Sequence, residues 1–203
     1  MNTRIQLLFL DFLQKYQLIL EEDTILLAVS GGIDSIVMCD LFSKISQKFS
    51  IAHCNFQLRG QDSEEDEVFV RKLAKDYQVP FFSKRFDTLK YAQKEKISTQ
   101  MAARDLRYQW FDELLIANQM TKLATAHHQN DVLETVLLNL TRGTGIAGLH
   151  GILPQNKHII RPLLFLTKEE VLEYAQEHQL KWREDISNQS NKYKRNSIRN
   201  EVI

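Results

Sequence analysis

The sequence predicts an α/β domain built on a parallel sheet with helices on both faces. Two observations carry this. Short apolar runs at Ile25–Val29, Ser50–Phe56, Pro80–Phe86 and Lys122–His127 alternate with segments of helical periodicity. The first of them, Ile25–Val29, is continuously apolar, as a strand buried on both faces is, and Lys122–His127 is mostly small and apolar. A third observation is the break Ser30-Gly31-Gly32-Ile33-Asp34-Ser35 after the first run, where a strand turns sharply into a helix.

In chain order, Thr3 to Leu18 reads as an amphipathic helix, with Ile5, Leu8, Phe9, Phe12 and Leu13 at helical spacing. A second helix starts at Asp34. Ser63 with Asp66 suggests a capping-box variant, and Glu64, Glu65 and Glu67 suit the positive end of a helix running to Tyr77. A short helix follows over Asp87 to Glu95. Ser98 caps a long helix to about Asn118, with Ala103, Leu106, Trp110, Leu114 and Ala117 as its core stripe. The next helix runs from Asn130 or Asp131 to Leu140, with Leu133, Val136, Leu137 and Leu140 buried. On that reading Asp131 and Glu134 point away from the core, towards the mouth of the sheet. His158 to Leu164 reads as a short edge strand, and Thr167 caps a helix over Lys168–His178.

The 203 residues are 43% hydrophobic and 26% charged, which suits one domain: an α/β core over about 1–180 and a basic tail over about 181–203. A chain of this size buries roughly 70% of its unfolded surface, so no disulfide or metal is needed for folding. Cys39 and Cys54 form no Cys-x-x-Cys and sit in apolar surroundings, as free thiols of a reducing, cytoplasmic compartment do. Asp11, Gln14 and Lys15 interrupt the N-terminal apolar stretch, so neither a signal peptide nor a membrane span is expected.

Net charge is zero, which by itself gives no argument for nucleic acid. The distribution is less even. Lys84 to Arg107 holds seven basic residues against three acidic, and Lys181 to Ile203 holds six against three. Two such segments could track phosphates if the fold joins them.

In a parallel sheet ligands sit beyond the C-terminal strand ends. Three segments fall there: Ser30–Ser35, His53–Asn55 and His127–Asp131. The glycines let backbone amides converge where a helix N-terminus aims its positive end, a geometry suited to phosphate. No Lys follows them, so this is not the G-x-x-x-x-G-K-[ST] loop. Asp34 beside phosphate suggests Mg²⁺. Asp131 could share the metal or orient an amine, or it could be an ordinary first-turn residue favoured by the helix dipole. His127 and Asp131 also have the i, i+4 spacing of metal ligands on a helix, but no H-E-x-x-H is present. Arg104 and Arg107 lie off the core stripe and could reach phosphate or a developing charge.

Ser30-Gly31-Gly32-Ile33-Asp34-Ser35 after a buried strand resembles the signature of the PP-loop ATP pyrophosphatases, a Rossmann-like, adenine nucleotide alpha hydrolase-like fold that releases AMP and pyrophosphate from ATP. Three further segments narrow the resemblance: Ala102-Ala103-Arg104-x-x-Arg107-Tyr108; Ala126-His127-His128-x-x-Asp131-x-x-Glu134-Thr135 with Arg142-Gly143-Thr144-Gly145; and Glu184-Asp185-x-Ser187-Asn188 with Arg195-Asn196-x-Ile198-Arg199. Together they resemble the N-terminal catalytic domain of the tRNA(Ile)-lysidine synthetase family. One departure is Asn130-Asp131, where many relatives carry two acidic residues.

The resemblance implies a ligase that uses ATP and Mg²⁺. The wobble cytidine of tRNA(Ile) with a CAU anticodon is adenylated, and free L-lysine then displaces AMP to leave lysidine. Codon and amino-acid specificity thereby switch from Met to Ile. It implies Asp34, Asp131, Arg104, Arg107 and Glu134 as catalytic residues, with Mg²⁺ at Asp34 and Asp131 and the lysine ammonium at Glu134. Ser30, Gly31, Gly32, Ile33, Asp34, Ser35, His53, Asn55 and His127 would bind ATP. Arg142, Asn188, Arg195, Asn196 and Arg199 would contact tRNA or lysine. C-terminal tRNA-binding domains would follow the tail, and a homodimer is compatible with the pattern. The competing readings are another PP-loop enzyme, such as a tRNA thiolase or an amide-forming synthetase, and a nucleotide-binding module without catalysis.

Overall fold

The computed structural model describes residues 4–141, 143 and 150–184. The elements run α1 (Arg4–Lys15), β1 (Ile25–Ala28), α2 (Ile33–Ser43), β2 (Phe49–Asn55), α3 (Gln61–Asp76), β3 (Phe81–Arg85), α4 (Thr88–Glu95), α5 (Thr99–Ala117), β4 (Lys122–Thr125), α6 (Gln129–Thr141), β5 (Gln155–Asn156), β6 (Ile159–Ile160) and α7 (Lys168–Glu177). The six-stranded sheet has the order β3-β2-β1-β4-β6-β5. All neighbours are parallel except the β5–β6 hairpin. The His158–Leu164 segment thus contributes an interior strand, β6, and the edge belongs to β5.

Alternation along β1 splits the core. Ile25 and Leu27 face a layer that includes Phe9, Leu13, Phe42, Val70 and Tyr174, from α1, α2, α3 and α7. Leu26 faces Trp110, Phe111 and Leu115 of α5, on the opposite side. All three β1 residues are fully buried, each stabilising the fold by about 1.5–3 kcal/mol. Helices therefore cover both faces, as expected.

Several helix readings need correction. In α5 Trp110 is buried and Leu106 and Leu114 pack against the core as expected, but Ala102, Phe111 and Leu115 are buried beside them and Ala117 is exposed. The N-cap of α3 is Gly60, with φ +53 and no side-chain cap. Ser63 instead accepts from the Arg59 amide at 3.2 Å. In α6 the polarity is inverted: Asp131 and Glu134 are buried, whereas Leu133 and Leu140 are exposed. Ser98 and Thr167 cap as read: Ser98 accepts from Met101 N, and Thr167 forms a capping box with Glu170. Asp87, read as the first helical residue, is instead the N-cap of α4 and accepts from Lys90 N.

Gly151 holds α6 from the side. Its φ is +59, and a Cβ there would lie 2.8 Å from Val132 Cγ1 and 3.1 Å from Val136 Cγ2. Gly151→Ala is expected to cost about 1–3 kcal/mol through overpacking and backbone strain, read by urea unfolding.

Candidate active site

β1 is the centre of the sheet. The chain winds outward from it through β2 to β3 and then returns to its other side at β4. The crevice beyond β1 and β4 is the topological switch point, where parallel sheets take ligands. A slot of about 200 Å³ opens there. Ala28, Ala52, Phe56, Tyr108, Phe111, Ala126 and His127 wall it, with Ser30, Asp34 and Ser35 at one end. Its apolar, aromatic walls and polar end fit a planar base attached to a charged group.

The loop Ser30–Ser35 is tied from within. Ser35 Oγ donates to Gly32 O at 2.8 Å and accepts from Gly31 N at 3.2 Å, and Gly32 N donates to Ser30 Oγ at 3.3 Å. Gly31 has φ +97, a conformation that favours glycine. Ser35 is buried and braces the loop, and Asp34 stands partly exposed in the first turn of α2. Two larger clefts flank the loop. One, about 550 Å³, runs from Asp34 past Arg59, Lys168, Trp182 and Arg183. The other, about 560 Å³, runs from Ser30 past Asn55, Arg59, Gln100, Ala103 and Arg107. Carboxylates share these walls with the cations: Asp34, Asp66, Glu169 and Glu184 line the first cleft beside Arg59, Lys168 and Arg183, and Asp66 lines the second beside Arg59 and Arg107.

The structure brings together most of the site residues named from sequence. Arg107 lines both the slot and the second cleft, its guanidinium 5.2 Å from the Phe56 ring centroid. Arg104 is exposed, stacks on Tyr108 at 4.9 Å and lines none of these three clefts. His127 lines the slot, with Nδ1 3.0 Å from Thr125 Oγ1. His53 is buried and neutral: burial lowers its pKa, and Nδ1 meets Val29 O at 2.9 Å. Asn55 accepts from Gln57 N at 3.0 Å and donates to Glu67 at 3.2 Å, shaping the exit of β2. Both still lie on the wall of the second cleft. Arg142, Asn188, Arg195, Asn196 and Arg199 fall outside the described residues.

His128, which sequence reasoning missed beside His127, lies closer to the acidic pair. Its Nε2 is 3.8 Å from Asp34 Oδ1 and 3.7 Å from Asp131 Oδ2. Asp131 Oδ2 also accepts from the His128 amide at 3.0 Å. Asp34 and Asp131 thus converge on one imidazole, at the end of the sheet where the slot opens. Glu134 lies one turn further along α6 with no exposed surface. Asn130 is structural, since its Oδ1 accepts from Lys168 N at 3.0 Å and joins the starts of α6 and α7.

The acidic block of α3 is used for ion pairs. Asp66 accepts from Arg59 at 2.6 Å and Arg183 at 2.5 Å. Glu67 accepts from Asn55, Arg71, Ser83 and Arg85, and these bonds outweigh its desolvation to lower its pKa. Part of the basic character of Lys84–Arg107 is spent the same way, since Lys84 pairs with Glu113 and Arg85 with Glu64 and Glu67.

A family model described as a PP-loop domain matches residues 1–203. The tRNA(Ile)-lysidine synthase of Chlorobaculum tepidum is 43% identical over 199 residues, covering 96% of this chain and 60% of that protein. That of Bacteroides thetaiotaomicron is 43% identical over 188 residues, covering 93% and 44%. The chain thus spans about half the length of the curated relatives it matches. Among solved structures, the U34-tRNA thiolase NcsA from Methanococcus maripaludis superposes with a TM-score of 0.74 at 20% identity, over 98% of this chain and 74% of that one. The NH3-dependent NAD synthetase from Campylobacter jejuni gives 0.58 at 17%, over 87% and 73%. At those identities the superpositions speak for the fold alone. Since the family model runs the full length and its hallmark turn sits at the switch point of the sheet, the chain belongs to the PP-loop family.

Proposed function

We propose that this chain is the catalytic part of a ligase that forms lysidine on tRNA(Ile). The observation that carries the reading is a base-sized slot leading onto the Ser-Gly-Gly turn, with Asp34 at the junction and a second cleft beyond Arg107. The similarity to tRNA(Ile)-lysidine synthases at 43% identity supplies the substrate.

In this reading adenine occupies the slot against Phe111 and Tyr108, with His127 at its rim. The triphosphate lies along the Ser30–Asp34 amides and the N-terminus of α2. The wobble cytidine of the CAU anticodon enters from the second cleft. Its O2 attacks the α-phosphate, the bond to the β-phosphate oxygen breaks, and pyrophosphate leaves. The ε-amine of L-lysine then attacks C2, and AMP departs with O2. Arg107, between slot and cleft, neutralises charge growing on the α-phosphate. Arg104, on the outer face of α5, meets RNA phosphate instead.

Asp34 and Asp131 are hard oxygen donors that converge beside the loop, a set that suits Mg²⁺, which takes one or two carboxylates plus phosphate oxygens. Bound there, Mg²⁺ would stabilise charge on the departing pyrophosphate. Glu134 holds the lysine ammonium from beneath α6, an arrangement that needs α6 to shift when lysine binds. Arg142, Asn188, Arg195, Asn196 and Arg199 contact tRNA or lysine. A cytoplasmic enzyme, able to pair as a homodimer, completes the reading. No helix among the described residues is long and apolar enough to cross a membrane.

A thiolase reading is less favoured. Cys54 lines both the slot and the second cleft, but burial pushes its thiol up to about 12, and Cys39 is pushed up further. Protonated thiols make poor sulfur carriers. The test supplies labelled lysine and ATP with tRNA(Ile) transcripts that differ only at the wobble base. Label should enter the cytidine transcript alone; equal incorporation into all transcripts contradicts the proposal.

A further inference from the structure

Segment 181–184 lies against the phosphate loop, and one residue fastens it there. Arg183 N donates to Gly31 O at 3.0 Å. The Arg183 side chain is held in turn: Nε donates to Asp66 Oδ1 at 2.5 Å and Nη2 to Glu65 Oε2 at 2.9 Å. Asp66 is buried, and its second oxygen accepts from Arg59 Nη2 at 2.6 Å. Charge-assisted bonds of this kind are the strong ones. Two carboxylates of α3 therefore fix a backbone amide 117 residues away in the chain, and that amide fixes the carbonyl of Gly31.

The consequence follows from peptide geometry. In a trans peptide the C=O of Gly31 and the N–H of Gly32 point in opposite directions. Gly31, with φ +97, carries no Cβ to resist rotation of that plane. Its own N–H is tied to Ser35 Oγ, so the Gly31–Gly32 peptide is held only by Arg183 N at its carbonyl and Ser30 Oγ at its N–H. A carbonyl drawn to Arg183 turns the Gly32 N–H to the other side, where it meets Ser30 Oγ at 3.3 Å at the junction of the clefts. Reversing this peptide would aim a carbonyl oxygen at the phosphates and remove a donor.

We propose that Arg183, held by Asp66 and Glu65, is a positioning residue that locks the Gly31–Gly32 peptide in its anion-binding orientation. This rests on the assignment of the loop as the ATP phosphate site. Arg183 touches no reacting atom; it acts through Gly31.

The test compares wild-type with Arg183→Gln, Arg183→Lys and Asp66→Asn. It measures pyrophosphate, ATP and adenosine binding by calorimetry, with thermal unfolding alongside. Arg183→Gln and Asp66→Asn should weaken pyrophosphate and ATP about tenfold, the scale of one lost charge-assisted bond, and leave adenosine unchanged. Arg183→Lys, which keeps one ion pair, should fall in between. A merely structural role would weaken adenosine in parallel with ATP, which would overturn the proposal. So would pyrophosphate binding at wild-type strength in both neutral variants. If wild-type binds pyrophosphate but not ATP, and the variants still lose pyrophosphate, the lock stands and the ATP assignment fails. If wild-type binds neither, both fail.

Discussion

Asp34→Asn should lower AMP and pyrophosphate formation by about 10²–10³-fold, while metal-free ATP binding changes little. The substitution keeps the side chain's shape, so the loop bonds among Ser30, Gly31, Gly32 and Ser35 remain. It removes the negative charge at the junction of the slot and the 550 Å³ cleft, where the proposed Mg²⁺ would be held beside the leaving phosphates. Glu134→Ala is the useful contrast. Its carboxylate has no exposed surface, so truncation should disturb α6 and lysine use while the nucleotide still binds as in wild-type. Initial rates of pyrophosphate release, with equilibrium ATP binding alongside, separate the two. Equal loss of nucleotide binding in both would contradict the assignment of Asp34 to the phosphates.

Asp40→Ala should destabilise the fold by about 3 kcal/mol or more, read by urea unfolding. Asp40 Oδ2 accepts from Lys44 Nζ at 2.5 Å and Tyr174 OH at 2.7 Å, and Tyr77 OH lies 3.4 Å from Oδ1. Burial pushes both phenols up, followed by the hydrogen bond to Asp40 for Tyr174 and the Asp40 charge for Tyr77, so they stay protonated donors. Removing the carboxylate leaves a half-buried ammonium and two phenol groups without their shared acceptor. The cluster also joins α2, whose N-terminus carries the phosphate loop, to α3 and α7. The loop should therefore lose order along with stability. An unfolding midpoint within error of wild-type would show that the cluster is solvated in solution.

Residues whose role depends on near neighbours were legible in the sequence. Ile25–Ala28 is a buried strand because every side chain is apolar, and Ser98 and Thr167 cap helices because each sits just before the first helical turn. The Ser-Gly-Gly-x-Asp-Ser turn announced itself for the same reason. Periodicity failed on α6, where counting apolar residues puts Leu133 and Leu140 inside. The fold buries Asp131 and Glu134 instead, an exception to the apolar stripe of the kind expected at a functional site. Choosing between His127 and His128 needed the third dimension. His128 points at both carboxylates, whereas His127 turns to Thr125. The tie from Arg183 to Asp66 spans 117 residues, and no local pattern reports it. Asp66 itself was visible, but as one charge of an acidic block on the first turns of a helix.

Everything proposed for the site depends on the Ser30–Ser35 loop directing cleavage between the α- and β-phosphates of ATP. Identifying the nucleotide formed from ATP in the presence of tRNA(Ile) and L-lysine decides this. AMP and pyrophosphate should appear in equal amounts, matched by lysine bound to RNA. Formation of ADP and inorganic phosphate instead would show that the loop cuts elsewhere, and the proposed chemistry would fall.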